Sequence, residues 1–394
     1  MNKNESWLVG VLFAQSGPTA STETALLDGT NLAVEQINVA GGVHGRPIKI
    51  IAPDPGGCVD NYGVLARDLA SEHDISVFFG GYTSLSRKAL IPAIEQTNSL
   101  LFYPTFYEGF EYSDHVFYFG SCPNQYTVQL VDFMLREVGS SFYLVGANYA
   151  FPRESNRIIK DLLKQKSGTL VAEEYLELDS STQRAEGIVK DVEERRPDVI
   201  FSTLVGDQIL DFYTSYHATA LRKSGVPIAS IVTSETEIDQ MGSAVAEGHY
   251  CVANYFSSLT SPESLQFLNN YKSRFGQHLR PSSLVESAYN QVMIFAKALQ
   301  LSKTMAIDRL RHSVLSTSYE APQGPIKMNA ENHHTHLWSR IGVIDSTGAI
   351  RSVSTSKGSI APDPYLITHK FGTWSSEAET SEYRKMVTNG VDQT

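Results

Sequence analysis

The chain has 394 residues, 42% of them hydrophobic and 19% charged, which is length for two or three domains and a composition that excludes a disordered chain. Its formal net charge of -11 works against phosphate backbones and anionic lipid, both of which attract clustered Lys and Arg. Neither direct nucleic-acid binding nor membrane insertion is expected, and no run approaches the roughly 20 apolar residues of a spanning helix.

Three cysteines, Cys58, Cys122 and Cys251, lie far apart with no zinc-ligand spacing, which fits a reduced compartment. The polar start MNKNES passes directly into a short strand-like run from Trp7 to Phe13, too short for the apolar core of a secretion signal. The expectation from this stretch is a cytoplasmic protein, or a periplasmic one if a signal peptide has been removed.

From Trp7 onward, short apolar runs alternate with amphipathic segments. WLVGVLF is followed by a helix from about Ser21 to Ala40 with Leu26, Ala33 and Ile37 at helical spacing, stopped by Gly41-Gly42. A strand over 47–52, a helix near 60–72 and a strand over 75–79 repeat the pattern. The next helix, after Ser84, carries Pro92 in its interior and is expected to kink there. Strands over 100–105 and 116–120 complete a first series.

A second series starts after Pro123: helix 124–138, strand 142–146, helix 153–165, strand 170–178, helix 185–195 and strand 199–204. A strand over 228–233 and a run over 250–256 follow, then helices over 262–275 and 282–301, then hairpin-like segments at Gly324 to Met328 and Leu337 to Ile344. Strand and helix in alternation predict parallel sheets covered on both faces. The predicted fold is therefore α/β, two doubly wound parallel-sheet lobes. The strand-rich end implies that the chain crosses back between them. The expected boundaries are 1–120 plus 252–328 for one lobe and 121–251 plus 329–376 for the other, with 377–394 a tail.

Ligands of such sheets bind beyond the carboxyl ends of strands. In the first series those ends carry Ser16 and Gly17, Asp54 to Gly57, Tyr82 to Ser84, and Tyr103 to Thr105. In the second they carry Asn148 to Phe151, Val205 to Asp207, and Thr233 to Glu235. Hydroxyls and aromatic rings dominate, a lining that suits a small neutral polar ligand. Val77 to Thr105 stands out, because its Gly80-Gly81 pair delivers Tyr82, Thr83 and Ser84 to the start of a helix.

Glu235 is the better placed of the two strand-end acids to meet a ligand donor, Asp207 being the other; N-capping or solvation competes for both. His333, His334 and His336 cluster in NHHTHLW, yet no carboxylate or thiolate lies at ligand spacing, so no metal is expected. No nucleophile elbow, dinucleotide fingerprint or phosphate loop is present, so neither catalysis nor a cofactor is expected.

Several segments resemble the type I periplasmic-binding-protein superfamily, in its branch of short-chain amide and urea receptors. They include DPGG at 54–57, YTSLSRKA at 82–89, LLFYPTFYEGFEYS at 100–113, FPRESN at 151–156, VIFSTLVGD at 199–207, TSETE at 233–237 and APQGP at 321–325. The resemblance covers nearly the whole chain and implies two lobes joined by three crossovers that close on a ligand. Within the branch it is strongest to the cytoplasmic sensors that negatively regulate aliphatic amidase operons.

It implies a pocket formed by Tyr82, Ser84, Tyr103, Thr105 and Tyr149, with Val205 and Thr233 nearby and Phe151 at a departing position, to which the strand-end reading adds Glu235. Phe151 stands where those sensors carry a second tyrosine, and Thr83 looks more like the urea receptors. The implied partners are a neutral amide or urea and an RNA-binding antitermination regulator, with an ABC permease as the alternative and a homodimer left open.

Overall fold

In the computed structural model, residues 6–177 and 182–366 are described. They divide into two compact units, one of residues 6–121, 254–338 and 357–362, the other of residues 122–177, 182–253, 339–356 and 363–366. The chain thus passes between units at 121/122, 253/254 and 338/339, with a short return at 357–362.

The first unit is built on five parallel strands: β1 (Trp7–Leu12), β2 (Ile48–Ile51), β3 (Val77–Gly80), β4 (Leu100–Tyr103) and β5 (Val116–Tyr118). They lie in the order β2-β1-β3-β4-β5. Every residue of β3, β4 and β5 is buried, which is why these strands read as continuous apolar runs rather than alternating ones. Phe79, Phe102 and Phe117 stand in a row across them, with neighbouring ring centroids 5.1 Å apart, and Phe295 meets Phe79 edge-on at 5.5 Å. Burying rings of this size contributes on the order of 2 to 3 kcal/mol each, so this row is a main source of the unit's cohesion.

The second unit holds β6 (Ser141–Ala147), β7 (Thr169–Leu176), β8 (Val199–Thr203), β9 (Ile228–Ser230) and β10 (Tyr250–Ala253), all parallel. Back in the first unit, β11 (Ser318–Ala321), β12 (Gly324–Met328) and β13 (Thr335–His336) make a small antiparallel sheet. The second sheet is completed by β14 (Arg340–Ile344) and β15 (Ile350–Thr355), both antiparallel to their neighbours. Its order is β15-β14-β10-β9-β8-β6-β7.

Two expectations need revision. Residues 329–338 belong to the first unit, because β13 pairs with β12 and His334 bridges to Tyr118 of β5. The helix expected over 124–138 is broken: a short 3-10 turn at Pro123–Gln125 precedes the helix Thr127–Glu137, since Tyr126 between them departs from helical geometry at φ -136 and ψ -59. The hairpin-like segments at 324–328 and 337–344 do carry antiparallel strands, β12 pairing with β11 and β13, and β14 with β10 and β15. The helix Ser84–Gln96 runs on through Pro92. The expected tail lies outside the described residues.

A buried carboxylate ties the first unit together where the chain enters and leaves it. Glu286, fully buried, accepts from Asn254 Nδ2 at 3.1 Å, Asn290 Nδ2 at 2.6 Å, Gln323 Nε2 at 2.9 Å and the Gln323 backbone N–H at 3.2 Å. Gln323 Oε1 in turn accepts from the Trp338 N–H at 3.3 Å. Asn254 and Trp338 are the first and last residues of that segment. Replacing Glu286 with Ala strands several buried amide donors, and each stranded group costs about 1 to 3 kcal/mol. Glu286→Ala is therefore expected to lower the stability of the first unit by on the order of 3 kcal/mol or more, read as a drop in its urea midpoint; an unchanged midpoint would contradict the assignment.

Candidate functional site

The carboxyl ends of β3, β4 and β5 lie side by side because these strands are parallel neighbours. The chain leaves β3 through Gly81, whose φ of +76° is a conformation that side chains disfavour. Thr83 then caps the helix Ser84–Gln96, its side chain accepting from the Ser86 N–H at 3.1 Å. The Ser86 hydroxyl accepts from the Tyr82 N–H at 3.1 Å. This local network fixes the turn that carries Tyr82 and Ser84.

Beneath it lies a charged cluster that sequence reasoning missed. Arg87, one helical turn beyond Ser84, is fully buried. Its Nη2 donates to Glu108 Oε1 at 3.1 Å, its Nε to Glu111 Oε1 at 2.7 Å and its Nη1 to the Tyr103 hydroxyl at 3.3 Å. The guanidinium also sits 4.5 Å over the Tyr107 ring. Burial alone would ease the proton off, but Tyr103, Glu108 and Glu111 outweigh it and hold Arg87 charged.

The predicted residues of this unit gather on that cluster. Ser84, buried, donates its hydroxyl to Glu108 Oε2 at 2.5 Å. The fully buried Tyr103 hydroxyl donates to the Tyr82 carbonyl at 2.8 Å, so it holds the turn in place. Burial pushes the Tyr103 hydroxyl up to about 12, with Arg87 pulling the other way. Thr105 is buried beside Tyr103, on a stretch that passes so close to Gly120 that a Cβ there would lie 1.9 Å from the Thr105 carbonyl. Tyr82 remains half-buried. At the neighbouring strand ends, Asp54 accepts from the Gln15 N–H at 2.8 Å and the Ser16 hydroxyl at 2.6 Å, joining the loops after β1 and β2.

The histidine cluster supports the same region. His334 stacks on Tyr118 with ring centroids 4.1 Å apart, and Tyr118 donates to Glu111 Oε1 at 3.0 Å. Its Nδ1 lies 2.5 Å from the Asn332 carbonyl, which can only accept, so Nδ1 carries the proton. Nε2 is then the acceptor for the Tyr107 hydroxyl, also at 2.5 Å. Among the described residues no group of three or more potential metal ligands converges.

In the second unit, β6, β8 and β9 are also parallel neighbours, and the remaining predicted residues follow their carboxyl ends. Tyr149, half-buried and extended, precedes the helix Ala150–Gln165, and its ring centroid lies 6.3 Å from that of buried Phe151. Val205 is half-buried just before Gly206 and the exposed Asp207. The Thr233 hydroxyl is 3.1 Å from that of Tyr213. Glu235, buried, opens the helix Glu235–Met241, which Ser234 caps. Asn148 accepts from Arg153 Nε at 2.6 Å and donates to Glu177.

One sequence signal points to the missed cluster. Glu108 and Glu111 stand three apart in the aromatic-rich FYEGFEYS, where an acid needs a buried cation as partner.

The buried imidazole gives a pH dependence. Desolvation holds His334 at about 3, against an ordinary value near 6.5. Below pH 6.5 the unfolded chain takes up a proton that the folded chain refuses until near pH 3. This group therefore removes about 1.4 kcal/mol of stability per pH unit across that window. Urea midpoints measured from pH 7 to pH 5 are expected to fall less steeply, by about one proton, in His334→Gln than in the unaltered chain.

Comparison with known proteins yields a consistent fold. The family described as the periplasmic binding protein domain matches residues 7–370. Among solved structures, a p-hydroxybenzoic acid complex of a solute binding protein of an ABC transporter from Rhodopseudomonas palustris HaA2 superposes with a TM-score of 0.83 at 18% identity. It covers 92% of this chain and 99% of its own. An amino acid ABC transporter substrate-binding protein from Pseudomonas fluorescens Pf-5 gives 0.81 at 18%, with 91% and 97% covered. The isoleucine complex of the branched-chain amino acid transporter substrate binding protein LivJ from Streptococcus pneumoniae gives 0.75 at 18%, with 88% and 99%. A limonene hydroxylase from Geobacillus stearothermophilus is 29% identical over 143 residues, 36% of this chain; the match spans only 26% of that protein's length.

Proposed function

Because the chain belongs to the periplasmic binding protein family, we propose that it is a solute-binding protein for a small neutral polar molecule, a short aliphatic amide or urea. On this reading it delivers that molecule to the permease of an ABC transporter outside the cytoplasm. The loops after β3 and β4 contribute groups to the ligand.

The observation that carries the neutral ligand is the charge balance beneath Ser84. Arg87, the buried cation there among the described residues, faces two carboxylates, Glu108 and Glu111. Counting the exposed Lys88, whose Nζ is 4.0 Å from Glu108, brings the balance only to neutrality, and its charge is screened by water. A ligand carboxylate at Ser84 would meet Glu108 with no surplus positive charge to offset the repulsion.

The transporter setting is supported by the solved relatives, two of which are named for ABC transport and a third for branched-chain amino acid transport. The amide-sensor reading, in which ligand binding releases an RNA-binding antiterminator in the cytoplasm, draws on the order of the sequence motifs and gains nothing from those relatives. In neither reading is the ligand chemically altered, since the family and its solved relatives are binding proteins.

Calorimetry with acetamide, butyramide, urea, isoleucine and 4-hydroxybenzoate tests the ligand class. Saturable heats are expected for at least one of the three neutral compounds and none for the two carboxylates. Tight binding of either acid, with none of the neutral compounds bound, would overturn it.

A further inference from the structure

A serine hydroxyl has one proton to give and two lone pairs to receive, so which of them faces a ligand depends on what else the hydroxyl touches. Here the partner is Glu108, whose Oε2 lies 2.5 Å from Ser84 Oγ while its Oε1 is held by Arg87 at 3.1 Å. A carboxylate in a guanidinium's grip only accepts, so the Ser84 proton lies on Glu108. What remains on Ser84 Oγ is lone pairs.

The neighbouring groups do not reverse this polarity. The Tyr103 hydroxyl spends its proton on the Tyr82 carbonyl and receives from Arg87. The Tyr82 N–H is taken by Ser86. Glu108 itself lies 24 residues from Ser84 in sequence and is held from below by Arg87, a residue of Ser84's own helix. The helix therefore carries both the recognition group and the cation that orients its orienter.

We propose that Glu108 is a specificity-determining residue that turns Ser84 into a hydrogen-bond acceptor, so that the site selects molecules presenting an N–H there over isosteres that present none. This rests on the neutral-ligand reading and deepens it: among neutral molecules of one size, the donor decides. A site built to receive an N–H rejects the analogue without one because its buried acceptor is then left unpaired, commonly a discrimination of about 100-fold or more.

The test uses acetamide, urea and acetone, which share a planar carbonyl core of nearly one size, acetone alone lacking a donor. Binding constants are measured by calorimetry or competition on the full chain. The unaltered protein is expected to prefer the better of acetamide and urea over acetone by about 100-fold. Glu108→Gln can turn an amide N–H toward Ser84 and free the hydroxyl proton, so that preference should fall at least tenfold. If Glu108→Gln does not fold by circular dichroism, Glu108→Asp is read the same way, since it keeps the charge against Arg87 but shortens the reach to Ser84.

A preference below about threefold in the unaltered protein would overturn the proposal outright. A large preference that survives in the folded Glu108 variant would overturn the role of Glu108 and leave the amide reading standing. Failure of all three compounds to bind would remove the amide reading and this proposal with it.

Discussion

The guanidinium of Arg87, sealed from water between Glu108 and Glu111, is the constraint on which the end of the first unit beyond β3, β4 and β5 depends. A buried charge is tolerated only when it is paired and its hydrogen bonds are met. Meeting that condition fixes the loop that carries the two acids, the tyrosines around them and, through Glu108, the hydroxyl of Ser84. Tyr107 and Tyr118 close over the pair, and His334 stacks against both rings. The segment that supplies His334 comes from far along the chain, so the long return at 254–338 completes the support of a site that begins at residue 80. On the proposed reading, stability and recognition are one arrangement of charges seen from two sides.

Much of the fold is legible in the sequence because parallel strands buried on both faces leave short continuous apolar runs, and helices between them keep their periodicity. The helix Pro262–Phe275 shows local signals agreeing with the tertiary outcome: Ser261 caps it, Pro262 occupies its first turn and Gly276 follows its end. The helix Asp207–His217 is harder to read. Its DFYTSY stretch is rich in residues that favour strands, and only packing of Ile209, Phe212, Tyr213 and Tyr216 against the core settles it as a helix. The placement of 329–338 depends likewise on strand pairing across distant segments, which no local pattern encodes.

The site was legible in one respect and hidden in another. Strand-end positions follow from topology, so Tyr82, Ser84, Tyr103 and Thr105 gather at adjacent carboxyl ends once the parallel order is known. The role of each hydroxyl does not follow. Tyr103 reads as a ligand contact, yet its proton goes to the Tyr82 carbonyl; Ser84 reads as a donor or acceptor alike until Glu108 decides between them. Those partnerships join residues 21 to 24 positions apart, and sequence spacing carries no information about which lone pair faces which proton. Within the histidine triplet, His334 is a neutral ring stacked against Tyr107 and Tyr118, a packing role that the run NHHTHLW does not announce.

The most direct measurement is neutron diffraction from a deuterium-exchanged crystal grown with acetamide. The account predicts the Ser84 deuteron on the line to Glu108 Oε2, Arg87 fully deuterated between its two carboxylates, and an amide N–D of the ligand directed at Ser84 Oγ. A Ser84 deuteron pointing at the ligand oxygen, with Glu108 turned away, would contradict it.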